Sequence, residues 1–209
     1  MKRVLLGAVL VPLFVSCSQS LENKANVLIK EEIKKVLYHP ETYDPAETIV
    51  DSSFTPFDDP IFYDKTLQVV ELGMSVAEYE RNMKHAKSTM SIFSGPFQSD
   101  YGRNEYNEAK DEYEENANNK QNAEDKARNL VNDLKTMLDK ERKFIGFKAI
   151  HSYRANNNAG QTVFGKMMYL FDKDMKTIVA SYDMKSEEYM AVQMLYKQVL
   201  GEDVFTEAR

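Results

Sequence analysis

The sequence predicts an α+β protein: a small antiparallel β-meander covered by helices, with a long antiparallel helical hairpin set into the chain. Three observations carry that reading. Val69, Leu72, Val76, Tyr79, Met83, Ala86, Met90 and Phe93 step by three and four residues, the spacing that keeps side chains on one helix face. Tyr106, Ala109, Tyr113, Asn116, Lys120, Ala123, Ala127, Leu130, Leu134 and Met137 repeat the step after a loop rich in Gly, Pro and Ser. From Phe144 to Tyr182 the apolar period drops to two, interrupted at 156–160 and 172–174, as in strands joined by tight turns.

Each element then has its own warrant. Ser20 is placed to cap a first helix, in which Leu21, Ala25, Leu28, Ile29, Ile33, Val36 and Leu37 share a face. That helix should end ahead of His39-Pro40, because the residue before a proline is steered out of the α region. Within the turn-rich 40–60 stretch, Thr48, Val50, Ser52 and Phe54 alternate with Ile49, Asp51 and Ser53, predicting a short strand.

The first arm of the hairpin runs from Ile61 to Phe93. Gly73, followed by Ser75 and Glu78, has the form of a helix stop and a capping box, so a kink or brief break is expected there. The second arm runs from about Arg103 to Arg142. Folding the two seams together puts Met90 by Ala109 and Val69 by Leu130, with Asn116 and Lys120 opposite Met83 and Tyr79. Polar seam residues lower stability but fix register. The run EENANNKQN offers an alternative, a second turn that splits this helix.

Three strands follow, over 144–154, 163–171 and 177–182. Ser186 then caps a final helix with Tyr189, Val192, Leu195, Tyr196 and Val199 as its stripe, ending at Gly201. The sheet needs a cover, and the first and final helices are the candidates. The chain thus divides into a leader (1–16), an anchor with the first helix and short strand (17–60), the helical hairpin (61–142), and the meander with its C-terminal helix (143–209), packed with 17–60.

Charge excludes one class of partner. Twenty-seven Lys and Arg stand against 33 Asp and Glu, for a formal net charge of -6. Without Lys2 and Arg3 of the leader the charge becomes -8. Nucleic-acid binders need a clustered basic face to release counterions, so no nucleic-acid partner is expected. The single cysteine, Cys17, cannot form an internal disulfide, and the fold must stand on its core.

Cys17 closes the leader. Lys2 and Arg3 precede twelve uncharged residues, Val4 to Val15, which as a helix reach about 18 Å, too short for the ~30 Å hydrocarbon core. The stretch Leu13-Phe14-Val15-Ser16-Cys17 resembles the lipobox of bacterial lipoproteins, with Phe14 where that family usually has Leu. The resemblance implies cleavage before Cys17, a diacylglyceryl group on its thiol and an acylated new amino terminus. Each buried methylene contributes about 0.8 kcal/mol, so two or three chains hold a protein to a membrane durably. Ser18, Gln19 and Ser20 follow with no acidic residue directly after Cys17, which by the same resemblance implies the outer membrane of the cell envelope. The stretch FIGFKAIHSYRANNNAGQTVFGKMMYLFD is similar to the closing strands of uncharacterised Bacteroidota lipoproteins with a cystatin-like helix-and-sheet body. That similarity implies a fold and a compartment, and no activity.

Chemistry-bearing residues are few. His151 falls between Ala149 and Tyr153 on the apolar face of its strand, where it reads as a hydrogen-bonded core residue or, alternatively, a general base. Ser152 points to the other face and cannot pair with it. His39 and His85 have no partner at metal-ligand spacing, and Asp172, Asp174 and Asp183 lack the further oxygen ligands and turn glycine of a calcium loop, so no metal is expected. Arg154 and Asn156 to Asn158 could rim a polar pocket, but asparagines that tolerate left-handed backbone are the simpler reading. Tyr101 is the one tyrosine of Tyr101, Tyr106 and Tyr113 free to stack on a ligand. No phosphate-cradling glycine loop or nucleophile elbow is present, and no cofactor is expected.

The expected role is therefore a lipid-anchored cell-envelope protein, non-catalytic, with a protein or envelope component docking on the hairpin. The alternative is a small-molecule or peptide binder with a pocket between sheet and helix. An open sheet face lined by Tyr153, Tyr169 and Met167 would favour that alternative. A face closed by the final helix would leave binding to the arm.

Overall fold

A computed structural model describes residues 20–96 and 99–200. It has the predicted class. A four-stranded antiparallel sheet in the order β1-β2-β3-β4 is built from β1 (Asp44–Phe54), β2 (Phe144–Asn156), β3 (Thr162–Phe171) and β4 (Ile178–Asp183). Four helices pack with it: α1 (Leu21–Ile33), α2 (Pro60–Ile92), α3 (Asp100–Leu138) and α4 (Glu187–Leu200). The short strand read at 48–54 is longer than its alternation suggested. It pairs with β2 from Asp44↔Arg154 to Phe54↔Phe144, adding a fourth strand to the expected three.

The helical arm is therefore an insertion between two strands that pair with each other. Its entry and exit are clasped by Thr55 and Lys143, each donating its backbone N–H, to the Lys143 carbonyl and the Thr55 hydroxyl respectively, both at 2.9 Å. Just beyond the clasp, Gly146 has φ +150°, and a Cβ there would lie 2.0 Å from the Phe171 carbonyl oxygen. Only glycine admits that approach of β2 to the end of β3.

Both sheet faces are covered, and by different helices. On one face α1 sets Ala25 and Ile29 against Ala149, Tyr169, Phe171 and Met175. On the other, α4 brings Tyr189, Val192 and Tyr196, with Phe62 and Tyr63 of α2 and Leu134 of α3, onto Met168. The alternation of β3 makes this possible: Met168 serves one layer while Tyr169 and Phe171 serve the other. Ser20 and Ser186 cap α1 and α4 as expected, accepting from the Asn23 and Tyr189 amides.

Three expectations and one alternative are overturned. First, α1 stops at Ile33, and Val36, read as core-facing, is exposed in the turn that follows. Second, α2 runs unbroken through Gly73 to Ser75. The Ser75 hydroxyl donates to the Glu71 carbonyl one turn back, so it serves the helix interior and starts no new helix. Third, the alternative of a second turn falls: α3 is continuous through the asparagine run, as its seam predicted. There Asn116 accepts from Asn82 (3.2 Å), and Lys120 pairs with Glu80 (2.8 Å), giving the polar seam residues partners on α2 in close to the expected register. Fourth, the asparagines of 156–158 are not left-handed. Gly160 takes the positive φ (75°), while the Asn157 carboxamide oxygen accepts from the Ala159 and Gln161 amides to close the turn.

Candidate functional site

His151 is fully buried, and its surroundings explain why. Its neighbours on the α1-side face are apolar, but two polar side chains from other elements reach the ring, and a third stands behind one of them. The Tyr43 hydroxyl, from the loop after a 3₁₀ turn at Pro40–Thr42, lies 2.9 Å from Nε2. The Thr48 hydroxyl of β1 lies 2.9 Å from Nδ1. Thr48 in turn donates to the Asn26 carboxamide oxygen of α1 at 2.5 Å.

Donor counting assigns the protons. Thr48 spends its hydrogen on Asn26, so it accepts from His151 Nδ1–H, and Nε2 is left to accept from Tyr43. The imidazole is thus neutral. Burial holds it below its ordinary 6.5, against a smaller upward pull from the Glu47 main chain. The Tyr153 ring stacks beside it, with centroids 5.9 Å apart. A ring enclosed this way, with hydroxyls and no carboxylate on either nitrogen, is not the general base that the strand position allowed. It is a knot tying α1, β1, β2 and the 40–43 turn together.

Above this knot lies a cleft of about 500 Å³ between α1, the 3₁₀ turn and the start of β1. Asn26, Lys30 and Lys34 form the α1 wall, Glu41 the turn, and Tyr43 and Pro45 to Thr48 the strand side. The sheet face carrying Tyr153, Tyr169 and Met167 is not the open surface considered above: α1 lies against Tyr169 and Met167. Open space begins at the rim of that helix. A second hollow of similar size sits on the arm, between Leu72 and Ser75 of α2 and Lys126 and Leu130 of α3.

The other candidates separate. Asp172 is occupied by its own turn: its carboxylate accepts from the Asp174 and Lys176 amides and the Thr177 hydroxyl, and the Lys176 amide is the main reason its carboxyl is held below the usual range. His39 contacts Glu41 at 3.3 Å on the surface, and His85 sits exposed within α2. Arg154 stacks over Phe164 of β3, its guanidinium 5.4 Å from the ring centre. Tyr101 stays exposed against Phe93, while Tyr106 and Tyr113 are half-buried in the seam. Cys17 and the leader lie outside the described residues.

Tyr43, Thr48 and Asn26 had no signal in the sequence. They lie more than 100 residues from His151 in the chain: strand register sets Thr48 opposite it, the turn before β1 brings Tyr43, and α1 brings Asn26 to Thr48. No family model, curated protein or solved structure matches this chain.

Proposed function

We propose that this chain is a lipid-anchored protein of the bacterial cell envelope, held to the outer membrane through acylated Cys17, that works without catalysis by offering its helical arm to a protein partner. The observation that carries the reading is the arm itself. Only its base is built into the body, through Phe62, Tyr63, Leu67 and Val69 of α2 and Leu134, Met137 and Leu138 of α3. From Val70 to Ile92 the hairpin extends roughly 35 Å further at 1.5 Å per residue, with side chains of the two helices packed on each other.

Anchor and arm are complementary parts of one device. Three residues separate Cys17 from the start of α1, so an acylated Cys17 holds the body close to the bilayer and leaves the arm as the far-reaching element. On α3, Glu105, Glu108, Glu112 and Glu115 recur at steps of three and four and so share one helix face. Such a stripe suits a basic partner surface.

Two measurements test the reading. Expressed as the full chain in a bacterium with a lipoprotein pathway, the protein should carry acyl mass on Cys17 and sediment with membranes, and Cys17→Ser should do neither. An unmodified wild-type product that washes free overturns the anchor. Reversing Glu105, Glu108, Glu112 and Glu115 to Lys should abolish in-cell crosslinks to the arm tip while leaving acylation intact. Unchanged crosslinks overturn the docking role.

A further inference from the structure

The cleft beside α1 is the feature that neither the anchor nor the arm uses. It is lined by charges of both signs that do not neutralise one another. Lys30 in the last turn of α1 and Lys34 just past its end have no ion-pair partner among the described residues. Glu41 contacts only His39, which does not line the cleft. Protein surfaces commonly let such neighbours pair, whereas here cations stand on the helix wall and the Glu41 carboxylate on the turn wall, with about 500 Å³ between them. That volume lies at the small end of ligand sites.

Three further observations describe what fits. The first is backbone. β1 is an edge strand, and its pairing with β2 slips between Pro45 and Glu47, leaving Ala46 opposite no residue of β2. A bulge on a free edge exposes main-chain groups to whatever lies alongside. The second is an unused donor. The Asn26 carboxamide oxygen is taken by Thr48, and its nitrogen has no acceptor among the described residues. The third is rigidity. Asn26, Tyr43 and Thr48 are fixed by the buried His151 ring, so three lining residues are held before any ligand arrives.

From these we infer that the cleft binds a zwitterionic peptide of two or three residues, its carboxylate on Lys30 and Lys34, its ammonium toward Glu41, and its main chain along the bulged edge of β1. A separated pair of charges excludes a simple anion such as phosphate, which would meet the Glu41 carboxylate. The free strand edge distinguishes a peptide from a single amino acid, which has too little main chain to use it. The inference is independent of lipid attachment and of the arm.

Calorimetry on the full chain in detergent tests it, with Ala-Ala, Ala-Ala-Ala, free alanine, N-acetyl-Ala-Ala and Ala-Ala-amide as probes. The di- or tripeptide should bind, and removing either terminal charge should weaken binding about tenfold or more, as expected for charge-assisted contacts. Lys30→Gln with Lys34→Gln, both exposed and so harmless to folding, should weaken Ala-Ala by a similar factor and abolish its advantage over Ala-Ala-amide. Absence of binding by both peptides up to ten times millimolar concentration, on the order of the weakest useful affinity, overturns the inference. So does free alanine binding as tightly as Ala-Ala, or a double variant that binds like the wild type.

Discussion

The body and the arm are built from the same kinds of helix and solve opposite problems. In the body, burial falls on large side chains: Phe62, Tyr169, Phe171, Tyr189 and Tyr196 are all nearly or wholly enclosed. In the exposed length of the arm the buried apolar residues are alanines, Ala86, Ala109 and Ala123, with polar contacts such as Asn82 to Asn116 and Lys120 to Glu80 between them. Apolar area removed from water sets the hydrophobic stabilisation, at about 25 cal/mol per Å². The body therefore stabilises itself by burial, and the arm fixes register more than it adds stability. A spacer that must stand in water has few other choices, because a wide apolar stripe on two isolated helices would remain uncovered.

That contrast can be broken at three points. The largest effect is expected at the joint. Phe62 packs on Phe57 and Tyr196, with ring centres 5.4 and 5.5 Å away, and Phe62→Ala should cost about 3–5 kcal/mol, the range for removing a buried aromatic ring. Thermal unfolding should show one lowered transition. If the arm also loses amide protection in native conditions, the joint transmits body stability outward. A loss below about 1 kcal/mol would show that the ring is not the anchor of the arm base.

The second point is the His151 knot, where the effect depends on pH. The unfolded imidazole titrates near 6.5 and the folded one lower. Above 6.5 both states are neutral and the full stability is present. As pH falls below 6.5 the unfolded chain binds a proton that the folded one refuses, so stability declines down to the depressed folded value and then levels off. His151→Gln should cost roughly 1–3 kcal/mol at pH 7.5 through unmet buried hydrogen bonds. It should also remove the decline that begins at 6.5. Melting temperature against pH for both proteins checks this, and parallel curves would refute it.

The smallest effect is expected in the arm. Replacing Asn82 and Asn116 together by Leu should raise local stability by about 1 kcal/mol while weakening the register that the pair defines. Hydrogen exchange should slow over 76–90 and 109–123 and stay unchanged in the sheet. Slowing throughout the body would mean that arm and body unfold as one unit.

Much of this architecture was legible in the sequence. The two seams placed the hairpin with ends within a few residues, and the step to period two placed the meander. Gly73 misled because a stop signal was read where the apolar stripe continued; one glycine costs a helix about 1 kcal/mol, and the packing of Leu72 and Val76 on either side outweighs it. The candidate site was barely legible. His151 stood out as a titratable group on an apolar face, but Tyr43 sits in a turn, and Thr48, though in the predicted strand, showed no partner until that strand paired with β2. Lys30 and Lys34 look like any solvated helix face until the opposite wall is known.

By itself the sequence determined the class, the order of elements and the two-helix arm, because side-chain periods of 3.6 and 2 are properties of the local backbone. Only the tertiary structure decided that β1 joins the sheet, that α1 and α4 take opposite faces, and that a neutral histidine binds four segments beneath an open cleft. Those outcomes depend on register between strands far apart in the chain, where a shift of one residue would turn His151 to the other face.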